Sequence, residues 1–584
     1  MGIKHSPALK DYLLAFENCQ EPLLFYYSFG EGKQSLRTAL TRDALWVQAK
    51  KAASVIRNVG CKTGDCFALC YGANHHSDLA FRMASTMTGT TPVTINWQAD
   101  TIARISYKIQ LTECKLAVAD SHFNPDYLDS IGNQVRDIKV FHVDNLDSQT
   151  ELPDDEFSGD LDLESTRIIV FTSGTTGQPK GVQLPYRAYR TNRSTFEHFL
   201  EIKPTDRFAV VVVNPLHHTN STAITDWALR RPNSHIHLME KYTTDYWKIL
   251  SEVASRNYDR LVAPTVSRHF DFLENLDRTG KLPIGSEELK TAMNKTDFLI
   301  GSAPVGPATI KRLQHYAGKT PIVRFGSTET CLQVIGTPRH LSEKATLEAF
   351  KHGWNHRVNS QAQPGYYIGR PHHPFTEARI VQSITPATNG YMKDCDNGRP
   401  GYLITRGSNL MSGYVKDAEA TREAFHQGWY TGLKDIAFAL KNEQDGAPDY
   451  YWVTRESTLL IRGGANYAYD QINSELTNFV SHYYQLPEDS FDIAVVGLKV
   501  DSEHEDSCCV TIEIKNQQAQ EKVVEIEKTF TDMATQHISK GAKPDYIRFA
   551  QIPRNFKGAV LVKELAAEFS EWLTLHTSPM TSRR

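Results

Sequence analysis

Short apolar runs recur along this chain, separated by stretches whose apolar positions fall at helical spacing. Cys66–Gly72, Lys115–Asp120, Ile138–Val143 and Arg167–Thr172 read as buried strands, and Phe208–Val213, Arg260–Thr265 and Asp297–Ser302 continue the series. Segments between them, such as Arg42–Val59, have the period of a helix. Strand, helix, strand in that order predicts parallel sheets wound with helices. The pattern changes after about residue 375, where strands follow one another across Gly, Asn and Asp turns without crossover helices. That predicts a small β-rich lobe. From about residue 456 a further unit begins. Phe491–Val500 and Ser507–Lys515 look like a strand pair, Val523, Ile526, Phe530 and Met533 lie on one helical face, and Pro544–Pro553 is another strand. The expectation is an α/β protein. Residues 1–456 would form a large domain of two doubly wound parallel-sheet lobes plus the β-rich lobe, and residues 457–584 a small α+β domain.

Composition narrows the function classes. A chain of 584 residues is too long for a single core. With 40% hydrophobic and 23% charged residues it has an ordinary globular balance. Lys plus Arg (64) nearly match Asp plus Glu (68), so nothing asks for a nucleic-acid footprint. No apolar run reaches the length of a membrane span, and the first residues lack the apolar core of a signal peptide. The nine cysteines are odd in number and scattered; Cys61, Cys66 and Cys70 cluster without zinc-ligand spacing. Reduced, buried thiols and a cytoplasmic location are the expectation. "MGIKHS" fits the loose myristoylation pattern through Gly2 and Ser6, although one acyl chain anchors only marginally.

The chemistry concentrates in "RIIVFTSGTTGQPKGVQL", Arg167–Leu184. A buried strand opens into Thr172, Ser173, Gly174, Thr175, Thr176 and Gly177. The glycines let backbone N–H groups converge on an anion, the hydroxyls add donors, Pro179 stiffens the turn and Lys180 adds a compact positive charge. The Walker spacing is absent, because Gly177 is followed by Gln178-Pro179-Lys180-Gly181.

This stretch resembles the nucleotide-binding signature of the adenylate-forming superfamily: acyl-CoA synthetases, firefly-luciferase-like enzymes and non-ribosomal peptide adenylation domains. Further elements follow in the family's order. "NPLHHTNST" (Asn214–Thr222) would place His218 near the acyl carboxylate. "IGSAPVG" resembles the loop beside the adenine, with Gly301, Ser302, Ala303 and Pro304. "RFGSTETC" supplies Arg324, Phe325, Gly326, Ser327, Thr328 and Glu329; the resemblance implies that Phe325 stacks on adenine and that Glu329, with Thr176, ligates magnesium. "YIGRP" (Tyr367–Pro371) and "GYLITRGSNLMSGY" (Gly401–Tyr414) are similar to the start of the small lobe. Asp435 in "GWYTGLKD" would hold the ribose hydroxyls, Arg455 in "YWVTRESTLLIRGGANY" would bind the ribose at the hinge, and Gly463 and Gly464 would wall the pantetheine tunnel. The resemblance runs from about residue 20 to about residue 566. It implies ATP, Mg²⁺ and coenzyme A as cofactors and co-substrates, a small carboxylic acid as partner, and a mobile C-terminal domain. Taken singly, Glu329 could cap a helix, Asp435 could sit in a turn and Arg455 could make a surface ion pair.

Three positions depart from the family pattern. Leu433 and Lys434 separate Thr-Gly from Asp435, Thr458 stands where the hinge usually carries Asp or Lys, and Ala559 follows Gly558 where the family has its catalytic lysine. Alanine supplies no cation. Lys557 lies two positions earlier, so in an extended segment it would face the same side, roughly 6–7 Å away. Three readings of this position stay open: Lys557 substitutes, adenylation is slow while the thioester step survives, or the chain binds nucleotide or acyl-CoA without making it. The function expected is an ATP-dependent acid–CoA ligase, with a nucleotide- or acyl-binding pseudoenzyme and an acyl-AMP ligase loading a carrier protein as alternatives. Candidate pocket walls, His217, His218, Asn220, Ser302, Gly326 and Cys331, are mixed polar and small, and do not name the acid. The long segment His340–Gln363 is expected at the surface, and the oligomeric state is not legible.

Overall fold

The computed structural model describes all residues except 1–5, 17–19, 31–34, 99, 159–160, 173–178, 303, 359, 456–458, 463–464, 501–505, 539–542, 555–559 and 577–584. The apolar runs form strands at Cys66–Cys70, Leu116–Ala119, Lys139–His142, Thr166–Thr172, Phe208–Val212, Arg260–Thr265 and Thr296–Ile300, and the helix expected after Thr41 spans Arg42–Asn58.

Two large sheets result. In the first, strands Pro22–Phe29, Ser234–Met239, Phe208–Val212, Arg260–Thr265, Thr296–Ile300 and Ile322–Phe325 pair in parallel in that spatial order. In the second, Thr166–Thr172, Thr91–Thr94, Cys66–Cys70, Leu116–Ala119 and Lys139–His142 pair in parallel. The β-rich lobe is not a separate sheet. Ile322–Phe325 turns back through Ile335–Gly336, which pairs with Tyr366–Pro371, and that strand leads on through Pro448–Arg455 and Asp435–Lys441. The result is one continuous 15-stranded sheet. Backbone donors at the parallel sheet's edge thus find acceptors in the later strands, which composition alone could not reveal.

A main core fills the space between the two sheets, with Phe67, Leu69, Val170 and Val182 from one and Val210, Ile236, Leu299 and Ile322 from the other. Helix Thr219–Leu229 lies within it and is buried along its whole length. A second core covers the outer face of the large sheet under helices Asp245–Ala254, Ser267–Arg278 and Ser286–Lys295. Helix Glu343–Trp354, in the long segment expected at the surface, anchors there through Ala349 and Phe350 and leaves its other face exposed. From Leu460 onward the chain has its own core, built on strands Phe491–Leu498, Ser507–Ile514 and Tyr546–Phe549. Helix Gln517–His537 packs Ile526 and Phe530 into it. None of the eight described cysteines forms a disulfide. Among the described residues no helix is long and apolar enough to cross a membrane. Gly2 lies outside the described residues, and the buried Ser6 hydroxyl accepts from the Leu9 amide at the start of helix Pro7–Phe16.

The acidic residue of Thr219–Leu229 is paired internally. Asp226 accepts from Tyr12 Oη at 3.0 Å and from Arg230 Nε at 2.9 Å, and pairs with Arg167 Nη2 at 3.4 Å. Arg167 also donates to Ser85 Oγ, and Arg230 stacks over the Tyr12 ring. Burial by itself pushes the Asp226 carboxyl up, but the Arg230 and Arg167 guanidiniums overcome it and hold the group below its ordinary value. Replacing Asp226 by Asn leaves Arg167 buried without a counter-charge and Arg230 with Asp11 alone, at 3.8 Å. The expected loss is about 3–5 kcal/mol, read as a lowered urea midpoint. Because the folded-state pKa is depressed, this stabilisation is complete above the ordinary carboxylate value of about 3.9 and is lost as pH falls through the lower folded value. The wild-type midpoint therefore falls more steeply than that of Asp226→Asn on acidification below about pH 4.

Candidate functional site

The strand carrying Thr172 does not run into a helix. It turns back as a hairpin with strand Lys180–Pro185, whose register pairs Thr172 with Lys180. The residues that close this hairpin, Ser173, Gly174, Thr175, Thr176 and Gly177, lie outside the described residues. Their two flanks are fixed by the sheet, which sets where the loop begins and ends.

Lys180 stands at the hairpin mouth. Its ammonium lies 5.0 Å from the centroid of the Tyr414 ring and 3.8 Å from Asp417 Oδ2. Tyr414 is placed by the short strand Gly413–Tyr414, which pairs antiparallel with Lys180–Pro185 and brings Tyr414 opposite Val182. The Tyr414 hydroxyl donates to Glu329 Oε1 at 3.2 Å, and the Met411 amide donates to the Glu329 carbonyl. Glu329 sits in a turn after strand Ile322–Phe325, closed by the Ser327 amide on Thr330 Oγ1 and by the Cys331 amide on the Thr328 carbonyl. Thr219 Oγ1 donates to Thr328 Oγ1 at 3.1 Å and joins this turn to the first turn of the buried helix. Lys180 from one sheet, Glu329 from the other and the helix behind His218 therefore meet at one place.

His218 is the N-cap residue of that helix and is half-buried, whereas His217 is buried edge-on against Trp97. The loop before them is held from behind. Asn74 accepts the Leu216 amide and donates to the carbonyls of Asn214 and Met239, while Arg82 donates to the Leu216 carbonyl at 2.7 Å. Sequence reasoning missed Asn74, Arg82, Thr219 and Tyr414. Tyr414 ends a quoted motif, but its role depends on a cross-strand partner that spacing does not reveal.

Burial and then the Glu329 carboxylate raise the Tyr414 phenol, and burial, Glu329 and Tyr414 raise Tyr430. Among the described residues no group of three or more His, Cys, Asp or Glu side chains could cage a metal. A single fixed carboxylate suits Mg²⁺, which commonly takes one or two protein carboxylates and completes its shell with phosphate and water.

Asp435 is placed differently from an open ribose ligand. The intervening Leu433 tucks into the main core and Lys434 adopts a left-handed φ of 53°, which returns the chain to strand Asp435–Lys441. The Asp435 carboxylate is completely buried (0% exposed) and accepts from Trp452 Nε1 at 3.0 Å. Its backbone pairs with Arg455, whose side chain lies outside the described residues. Gly301 is buried, and Ser302, at a left-handed φ of 69°, is exposed with Pro304. Phe325 and Gly326 are half-buried, whereas Arg324 is buried. Ala303, Thr458, Gly463, Gly464, Lys557 and Ala559 lie outside the described residues; the flanks of the last two, Arg554 and Val560, are bridged antiparallel. An open groove of about 250 Å³ between helix Glu343–Trp354 and Asn442–Gln444 shares no residue with this site.

Known proteins are similar to this chain in sequence and in fold. Residues 25–415 match the family model described as AMP-binding enzyme. The chain is 24% identical over 431 residues to the 2-succinylbenzoate–CoA ligase of Bacillus licheniformis, covering 73% of this chain and 77% of that one. It is 25% identical over 575 residues to a mitochondrial medium-chain acyl-CoA ligase of Bos taurus, covering 92% and 84%. Among solved structures, the o-succinylbenzoate CoA synthetase of Bacillus subtilis, in complex with an acyl-adenylate intermediate, superposes with a TM-score of 0.70 at 19% identity. It covers 96% of this chain and 97% of that one, and it shares the fold.

The turn that carries Glu329 has no room for a side chain at Gly326. A Cβ there would lie 2.1 Å from the Leu332 carbonyl oxygen, a backbone atom. Gly326→Ala is expected to lower the thermal midpoint by the equivalent of about 1–3 kcal/mol, measured by calorimetry against wild type.

Proposed function

From the AMP-binding enzyme family, to which this chain belongs, we propose that it is an ATP-dependent carboxylic acid–CoA ligase working through an acyl-AMP intermediate. The observation that carries this reading is the meeting of Lys180, Tyr414 and Glu329 at the mouth of the Thr172–Lys180 hairpin. The named relatives, which join an acid to coenzyme A, support it.

The chemistry follows from charge. Attack of a carboxylate on the α-phosphate brings anion onto anion, so neutralisation and alignment dominate the barrier. Lys180 and the amides of Ser173–Gly177 face the triphosphate. Glu329, with Thr176, holds the magnesium ion, which supplies charge neutralisation on the phosphates. Tyr414 fixes the Glu329 carboxylate and stacks against Lys180, so it positions both. His218 orients the acyl carboxylate, and Phe325 stacks on adenine beside Gly301–Pro304. Asp435 and Arg455 form the ribose end, where Asp435 accepts from Trp452 Nε1. Residues 457–584 form the C-terminal domain, a reading supported by the separate core that starts at Leu460. They deliver Lys557 to the reacting groups and then Gly463 and Gly464 to the pantetheine arm.

Ala559 favours a second reading, a nucleotide- or acyl-binding protein with crippled adenylation. Hydroxylamine trapping of acyl-AMP with ATP and a panel of carboxylic acids separates the two. The ligase reading expects hydroxamate from wild type, loss of about 3 kcal/mol of transition-state stabilisation in Lys557→Ala, and unchanged ATP binding in that variant. A silent wild type with an active Ala559→Lys establishes the second reading. Absence of ATP binding in both defeats the assignment of the loop.

A further inference from the structure

Arg324 is a buried cation without a counter-charge. It is 4% exposed, and its Nε and Nη2 atoms find no hydrogen-bond acceptor. Burial alone lowers its pKa, to about 9, and no neighbouring charge restores it. The chain's other buried arginines are treated differently. Arg42 donates to the carbonyls of Arg231, Pro232 and Ser234, Arg82 pairs with Asp78, Arg167 and Arg230 share Asp226, Arg231 reaches Glu197 and Arg548 reaches Glu568. An uncompensated guanidinium is costly in low dielectric, so its retention points to a group that arrives with a ligand.

Its position says where that group lies. The register Ile300↔Val323 sets Gly301 beside Arg324 on the neighbouring parallel strand. The Arg324 side chain lies across that glycine: a Cβ on Gly301 would come within 3.3 Å of its Cγ and 3.7 Å of its Cζ. By strand alternation Arg324 shares the face of Ile322, which belongs to the core between the two sheets, where helix Thr219–Leu229 lies. This is the crevice at the carboxyl ends of the parallel strands, the usual place for a ligand in such sheets. Two more buried atoms there have no partner, Asn220 Oδ1 and Ser327 Oγ. They neighbour the hydrogen-bonded pair Thr219–Thr328 that closes the crevice. Arg324 therefore faces the buried helix Thr219–Leu229, whose N-cap residue is His218.

We propose that Arg324 receives a second anionic group, a carboxylate or sulfonate, on the acid substrate itself, and that the substrate class is therefore acids carrying a further negative charge rather than plain fatty acids. The guanidinium would form a paired, charge-assisted contact with that group inside the crevice, with Gly301 leaving the space it occupies. This rests on the ligase reading above and assigns Arg324 to the acid rather than to the nucleotide.

The test compares wild type, Arg324→Gln, Arg324→Lys and Arg324→Met. Hydroxamate formation is measured with succinate, glutarate and sulfoacetate, and with their neutral-ended counterparts monomethyl succinate and monomethyl glutarate. Wild type is expected to favour the dianionic acids. Arg324→Gln is expected to raise their KM by about 10- to 100-fold, with the KM for ATP unchanged and the preference over neutral-ended acids gone. Arg324→Lys should restore part of the preference. Arg324→Met, free of the uncompensated charge, should melt no lower than wild type without ligand. A KM rise for ATP with every acid alike would overturn the proposal, as would a wild type that prefers neutral-ended acids or a marked fall in the melting temperature of Arg324→Met. If no acid yields hydroxamate, the ligase reading fails by itself, and the thermal shift with succinate, glutarate and sulfoacetate then decides. A shift present in wild type and lost in Arg324→Gln supports the anion site, and no shift in wild type overturns it.

Discussion

The buried contact between Asp226 and the guanidiniums of Arg167 and Arg230 ties the strand before the Thr172–Lys180 hairpin to the buried helix Thr219–Leu229. Arg167 lies in the strand that feeds the phosphate hairpin, and Asp226 lies in the helix that begins at His218. Tyr12 and Ser85 close the same cluster from two further helices. A charge cluster of this kind contributes little net stability over an apolar core, but it is strongly directional, and breaking it leaves charge stranded. It therefore fixes the relation of the hairpin to the helix. Every distance at the site, from Lys180 through Tyr414 to Glu329 and Thr219, is inherited from that relation.

The site itself is a seam. Neither sheet carries enough of it: Lys180 belongs to the seven-stranded sheet and Glu329 to the turn leaving the fifteen-stranded one. Tyr414 bridges them because its two-residue strand adds to the edge of the Lys180 hairpin while its hydroxyl reaches across to Glu329. The hydrophobic core beneath the seam supplies rigidity, and the polar atoms above it supply selectivity. Arg324 is the point where these demands conflict. A charge sits in the core side of the seam without an internal partner, in contrast to Arg167 and Arg230, which share the Asp226 carboxylate. The two sites share a chemistry and differ in what completes them: protein groups in one, and an arriving anion in the other.

Much of the architecture is legible in the chain. The strands at Arg260–Thr265 and Phe208–Val212 coincide with their apolar runs, because a strand buried in a parallel sheet is largely apolar. The helix face of Ile526 and Phe530 is equally direct. The ordered motifs also located the family, since local phosphate and turn chemistry is written in contiguous residues. The continuity of the β-rich lobe with the main sheet was not legible. Edge pairing is decided by which distant strand reaches an open row of donors and acceptors, and no local pattern records it.

At the level of single residues the division is the same. The sequence by itself determined the α/β class, the succession of strands and helices, the Gly/Ser/Thr-rich stretch ending in Lys180 and the unusual Ala559, because each depends on residue type and near spacing alone. Only the tertiary structure decided that Tyr414 joins Lys180 to Glu329, that Asp435 is closed in by Trp452, and that Arg324 is left without a counter-charge while Arg167 is not. These depend on which side chains are brought together from positions far apart in the chain, and on how much water is excluded when they meet. Burial and long-range pairing set the energy of a charge, and neither is a local property of the sequence.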